Sequence, residues 1–141
     1  LKKYLHKGRS LWMNDSYWLV MPFKLFDAGV NLKYEGIKKT IDSTDAHVLE
    51  LTFDQVGETP ENKYYIYVDT KTFYVTQWDF YDVNGHLSPT LSTTWGDYKK
   101  YGKIMLSSNR GTSGKLSDIH VWESLHEKVF TEATVPVFSE L

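Results

Sequence analysis

The side chains that could do chemistry in this chain are its histidines, at positions 6, 47, 86, 120 and 126, and its carboxylates. Asp118 and His120 stand two apart on an expected strand, where both would face one side and share a cation. Two ligands are too few for a structural zinc and no H-E-x-x-H helix adds more, so no metal is expected. Asp79 and Asp82 fall on opposite faces of their strand, which argues against a paired-carboxylate acid–base site. His47 stands on the apolar face of its strand and reads as a satisfied core residue. Gly111-Thr112-Ser113-Gly114 has the small residues of a phosphate loop but neither the following Lys nor a leading apolar strand, so it reads as an ordinary loop. No G-x-S-x-G elbow or dinucleotide fingerprint occurs. Cysteine is absent, which excludes thiolate catalysis, iron–sulfur clusters and cysteine-bound zinc. The expectation is a protein that is not an enzyme and that uses no cofactor.

The other chemistry on offer is apolar. Aromatic residues make up 16% of the chain, from 10 Tyr, 7 Phe and 5 Trp. Tyr74, Trp78 and Phe80 are spaced to share one face of a strand, and Leu91, Thr93 and Trp95 share a face of the next. Leu49 and Leu51 add to the same wall from an earlier strand. Trp18 and Phe23 lie in the one long apolar stretch outside the strands, Tyr17–Phe26. The candidate ligand-binding set is therefore Trp18, Phe23, Leu49, Leu51, Tyr74, Trp78, Phe80 and Trp95, an apolar concave face suited to a lipid or acyl chain. Two arrangements satisfy these residues. Either Tyr17–Phe26 plugs the face as ordinary core, or it covers part and leaves a groove.

The elements that must hold these residues follow from periodicity. Leu1–Met13 carries a partial helical stripe interrupted by Gly8. Asn14-Asp15-Ser16 offers N-cap chemistry for a further turn through Val20, and that role accounts for its match to a glycosylation sequon. Pro22 stops the helix. One or two short helices are expected. From Val30 the period becomes two, with strands predicted over Val30–Gly36, His47–Phe53, Tyr64–Val68, Phe73–Tyr81, Leu91–Trp95, Lys103–Ser108 and Asp118–Leu125. Asp69–Thr72 reads as the turn of a hairpin, and Asn84-Gly85 as a reversal with Gly at positive φ. The expected fold is α+β, a curved and mostly antiparallel sheet of about seven strands with the helices against its concave face. At 141 residues this is a single domain. It divides into a helical plug at 1–26, the sheet at 30–125 and a tail at 126–141.

Charge is uneven. Residues 1–40 hold 8 Lys/Arg against 3 Asp/Glu, while residues 41–141 hold 8 against 15. The basic segment is expected to fold back onto the acidic sheet, with contact to anionic lipid headgroups as the alternative. Nucleic acid is not an expected partner, since the basic residues do not recur along the later strands. The longest apolar run is far short of the roughly 20 residues of a membrane span.

Several stretches together resemble a known family: NDSYWLVMPFKL at 14–25, GVNLKYEG at 29–36, YYIYVDTKTFYVTQWDF at 64–80, WGDYKKYGKIML at 95–106, and Val129-Phe130 followed by Pro136. Their order resembles uncharacterised envelope proteins within the superfamily of the outer-membrane lipoprotein carrier LolA. The resemblance implies an unclosed half-barrel with helices on its concave side, a hydrophobic ligand, no catalytic residues, and a place in the periplasm or on an outer-membrane lipoprotein. A full half-barrel has a further helix and strands ahead of the region matched here. Together with the opening Leu1, this reads as the C-terminal part of a longer chain. A protein-interaction scaffold using exposed sheet edges is the alternative. A cone-shaped α+β enzyme or ligand binder with an acid–base pocket is the second.

Overall fold

The computed structural model describes residues 2–132. Helix α1 runs Lys2–Val20 without a break. The expected boundary at residues 14–16 does not exist, because Ser16 Oγ donates to the Trp12 carbonyl 2.6 Å away and is satisfied inside the helix. Gly8 is carried at a cost of about 1 kcal/mol rather than ending the first segment. Pro22 does terminate α1, at the first positions of a 3₁₀ turn, Met21–Lys24, that drops Met21 into the core.

The strands are β1 (Val30–Lys39), β2 (Asp45–Phe53), β3 (Lys63–Asp69), β4 (Val75–Tyr81), β5 (Leu91–Thr94), β6 (Gly96–Tyr101) and β7 (Ile104–Asn109). The first five form one antiparallel sheet in chain order, and β6–β7 form a separate hairpin. The fold is thus α+β and antiparallel, as expected, and not closed into a barrel. A single apolar turn of helix, α2 (Lys128–Thr131), ends the described part.

Two corrections concern which segments became strands. No strand forms over Asp118–Leu125. Asp118 takes φ +52°, which breaks the extended run, and the segment lies irregularly with Leu116, Ile119 and Trp122 half-buried. In its place β6 forms from Gly-Asp-Tyr-Lys-Lys-Tyr, whose polarity hides its pairing with β7 across the Gly102–Lys103 turn. The reversal after β4 has the expected length but not the expected turn. The chain crosses from Tyr81 to Leu91 by a loop in which His86 N–H bonds the Val83 carbonyl, and Gly85 is not at positive φ.

The β3–β4 hairpin matches its expectation closely. Asp69 Oδ1 accepts from the N–H of Lys71 and Thr72 and from the Thr72 hydroxyl, so one carboxylate organises the whole turn. A bulge then inserts Thr76: Tyr67 pairs with Gln77, but Val68 pairs with Val75. That extra residue flips the side-chain alternation. Val75, not Tyr74, joins Trp78 and Phe80 on the face that α1 covers. A second bulge at Gly36, with φ +85°, shifts the β1–β2 register between Tyr34 and Ile37.

The core lies on this inner face, where Leu51, Ile66, Val75, Trp78 and Trp95 meet Met21 and Leu25. The outer face carries a buried polar network in which Tyr67 Oη and Gln77 Nε2 both donate to the Asp79 carboxylate, and Ile41 N–H donates to Gln77 Oε1. Lys63 is buried there between the Tyr65 and Tyr81 rings.

One side chain clasps helix to sheet. Arg110 is fully buried, and all five of its N–H groups are used. Nε and Nη2 donate to the Trp18 carbonyl, Nη1 to Ser107 Oγ and the Asn109 carbonyl, and Nη2 to the Ser107 carbonyl. Its guanidinium stacks 3.6 Å from the Trp95 ring centroid. Trp18 is in the last turn of α1, which has no basic residue of its own. Arg110 therefore supplies the cation that the negative end of the helix dipole favours and fills its open carbonyl. Burial lowers its pKa to about 10, so it stays charged at neutral pH.

Candidate functional site

Only the C-terminal half of α1 rests on the sheet. Trp18 meets Trp78 edge-on at 4.9 Å between ring centroids, and Trp78 meets Trp95 in the same way at 5.5 Å. Tyr17 lies 6.1 Å from Tyr64 and 6.5 Å from Trp78. Residues 2–9 are all exposed. Between the overhanging helix, the sheet and the irregular segment 116–122 runs an open trough of about 1750 Å³. This exceeds the ~300–1,000 Å³ of common small-molecule pockets.

Cross-strand register builds the trough's floor. Leu51, Tyr64, Phe80 and Leu91 face one another along one row of β2–β5, and Leu49, Ile66, Trp78 and Thr93 along the next; of these Tyr64, Phe80, Leu91 and Trp78 line the trough. Tyr64 is the hub, with ring centroids at 5.2 Å from Phe80, 5.4 Å from Trp78 and 6.1 Å from Phe53. Trp122 closes one wall. Burial, then the charges of Tyr64 and Asp27, pushes the Tyr17 phenol up to about 12, and burial raises that of Tyr64. Both phenols are neutral at physiological pH. Ser10, held by its bond to Glu58, belongs to the polar rim with Asn14, Asp27 and Asn62.

The eight expected site residues divide three ways. Trp18, Trp78 and Phe80 line the trough. Phe23, Tyr74 and Trp95 line a separate depression of about 190 Å³ beside the 3₁₀ turn, where Tyr74 stacks on Tyr98 at 4.6 Å. Leu51 is fully buried and Leu49 half-buried, both packed in the core beneath. Sequence reasoning missed Tyr17, Phe53, Tyr64 and Trp122. The first three were legible as inward positions of predicted elements, but Trp122 depends on a segment taken for a strand.

The polar candidates stay apart. Asp118 and His120 are exposed, and His120 stacks on Trp122 at 5.4 Å. Among the described residues no group of three or more His, Asp or Glu is close enough to hold a metal ion. Asp79 belongs to the outer-face network, whereas Asp82 is held in its loop by His86 and Thr90. His47 Nδ1 lies 3.0 Å from the Tyr34 hydroxyl on the half-buried margin of the inner face.

The family of unknown function DUF6503 has a model that matches residues 9–130. The chain belongs to this family. The span matched to DUF6503 contains the trough from Arg9 to Trp122 and the Arg110 clasp. No curated protein and no solved structure matches the chain.

Proposed function

We propose that this protein is a non-enzymatic binding module of the cell envelope whose trough holds an acyl chain or similar apolar ligand. The observation that carries this reading is the aromatic floor of Phe53, Tyr64 and Phe80 around the buried Trp78, three rings that the helix leaves partly uncovered. Apolar surface left in water costs roughly 25 cal/mol per Å², and an extended chain laid along the floor recovers it without needing a charged partner. The resemblance to the lipoprotein-carrier superfamily supports the same ligand class and the envelope location. The alternative of a scaffold that recruits partners by strand addition is weakened at β1. That edge carries Lys33, Lys38 and Lys39 and the Gly36 bulge, features that discourage pairing with another strand.

The test is titration with a fluorescent fatty acid, using Phe80→Asp as the variant. Phe80 is half-buried in the trough, so an added carboxylate abolishes binding while cooperative thermal unfolding persists. A wild-type protein that takes up no fatty acid, lipid or detergent rules the reading out.

A further inference from the structure

Part of the basic segment meets the acidic half of the chain, through Ser10 to Glu58 and Lys39 to Asp45, but residues 2–9 do not fold back onto it. Lys2, Lys3, Lys7 and Arg9 are exposed and, among the described residues, form no ion pair. Asp15 is the first carboxylate along α1. The same half of the helix exposes Tyr4 (77%), Leu5, Leu11 and Trp12 (71%). Their spacing of one and seven residues places the four on one helical face. The row borders the trough from Leu11 and Trp12 and continues along it at the same interval to Trp18 and Leu19.

We propose that residues 2–13 of α1 dock this protein on an anionic lipid bilayer. Clustered cations beside exposed Trp, Tyr and Leu are the two features that interfacial helices combine: attraction to acidic headgroups, and an apolar face for the headgroup–acyl boundary. Charge complementarity selects this occupant, because four cations that form no ion pair among the described residues, against the single carboxylate of Glu58 at Ser10, favour a dense anionic surface. The docked helix would lie with its apolar row leading from the bilayer into the trough. Docking stands on the helix alone and survives if the trough proves to bind nothing.

The experiment is co-sedimentation of the whole protein with phosphatidylcholine vesicles, with and without phosphatidylglycerol. Binding is expected only to the anionic vesicles, and it should weaken as salt rises. Each neutralised cation is expected to weaken binding roughly fivefold, so Lys2→Gln, Lys3→Gln, Lys7→Gln and Arg9→Gln together abolish it. These positions touch nothing in the core, and an unchanged thermal melt verifies that the variant folds. Phe80→Asp should keep vesicle binding while losing fatty acid, and Lys2→Gln with Lys3→Gln, which lie outside the trough lining, should weaken vesicle binding while keeping fatty acid. Equal binding to neutral vesicles, no binding at all, or binding that survives the four substitutions overturns the proposal. So does a doubling of mass in sedimentation velocity that the four substitutions abolish, which would mark the face as a contact between copies.

Discussion

At the residue scale the fold depends heavily on Arg110. A buried guanidinium without a carboxylate is sustained here by carbonyls, one hydroxyl and an aromatic face, so every donor is accounted for. Removing it orphans the Trp18 and Ser107 carbonyls, and each buried group left unpaired costs about 1–3 kcal/mol. Arg110→Met should therefore destabilise the protein in urea by roughly 2–4 kcal/mol, with faster amide exchange in the last turn of α1. Arg110→Lys should recover only part of this, since an ammonium neither stacks flat on Trp95 nor forks onto Trp18. Trp78 is 3% exposed, so Trp78→Ala should cost about 3–5 kcal/mol by denaturant titration. Burial also raises the phenols of Tyr17 and Tyr98 to about 12. A phenol raised from its unfolded value of about 10 contributes stability below that pH and loses it as pH climbs through the folded value. Tyrosinate absorbance should thus show Tyr17 and Tyr98 ionising late, with alkaline unfolding following. Tyr17→Phe should remove one late group.

Elements differed in how plainly the sequence announced them. The β3–β4 hairpin was legible because two β-rich runs flank a polar turn whose Asp69 and Thr72 hold it locally. Amide exchange should show both strands protected together. Helix α1 was read as broken because Gly8 and the Asn14-Asp15-Ser16 group are local stop signals, yet neither meets a competing partner in the fold. Gly8 has open space around it, so Gly8→Ala should raise helicity and add up to about 1 kcal/mol, readable by circular dichroism and melting. The face assignment of Tyr74 failed for a different reason. A bulge is one residue of extra chain, and nothing in strict alternation marks where it falls. At Gly29 the constraint is tertiary: φ is +81° and an added Cβ would meet Val56 Cγ1 at 2.6 Å. Gly29→Ala should lower the melting temperature.

For the whole molecule, fold class and the sidedness of the sheet followed from periodicity and composition, as did the packing of the apolar segment after Tyr17 against the face that carries Trp78. The site was only half legible. Its floor comes from alternation within strands, but its boundaries come from Arg110 reaching a carbonyl 92 positions away and from an irregular segment lying along one wall. Long-range closure of that kind leaves no local trace. The way the helix is held has a mechanical consequence. α1 is a rod held at Trp18 by Arg110 and again midway by the bond of Ser10 to Glu58, which leaves a free arm about 12 Å long from Ser10 to Lys2 at 1.5 Å per residue. Each degree of tilt about Ser10 moves the free end by roughly 0.2 Å on that rise. The outer mouth of the trough is thus set by an angle rather than by a fixed width, and on the proposed function guests of different girth would be met there by tilting this arm without repacking the floor.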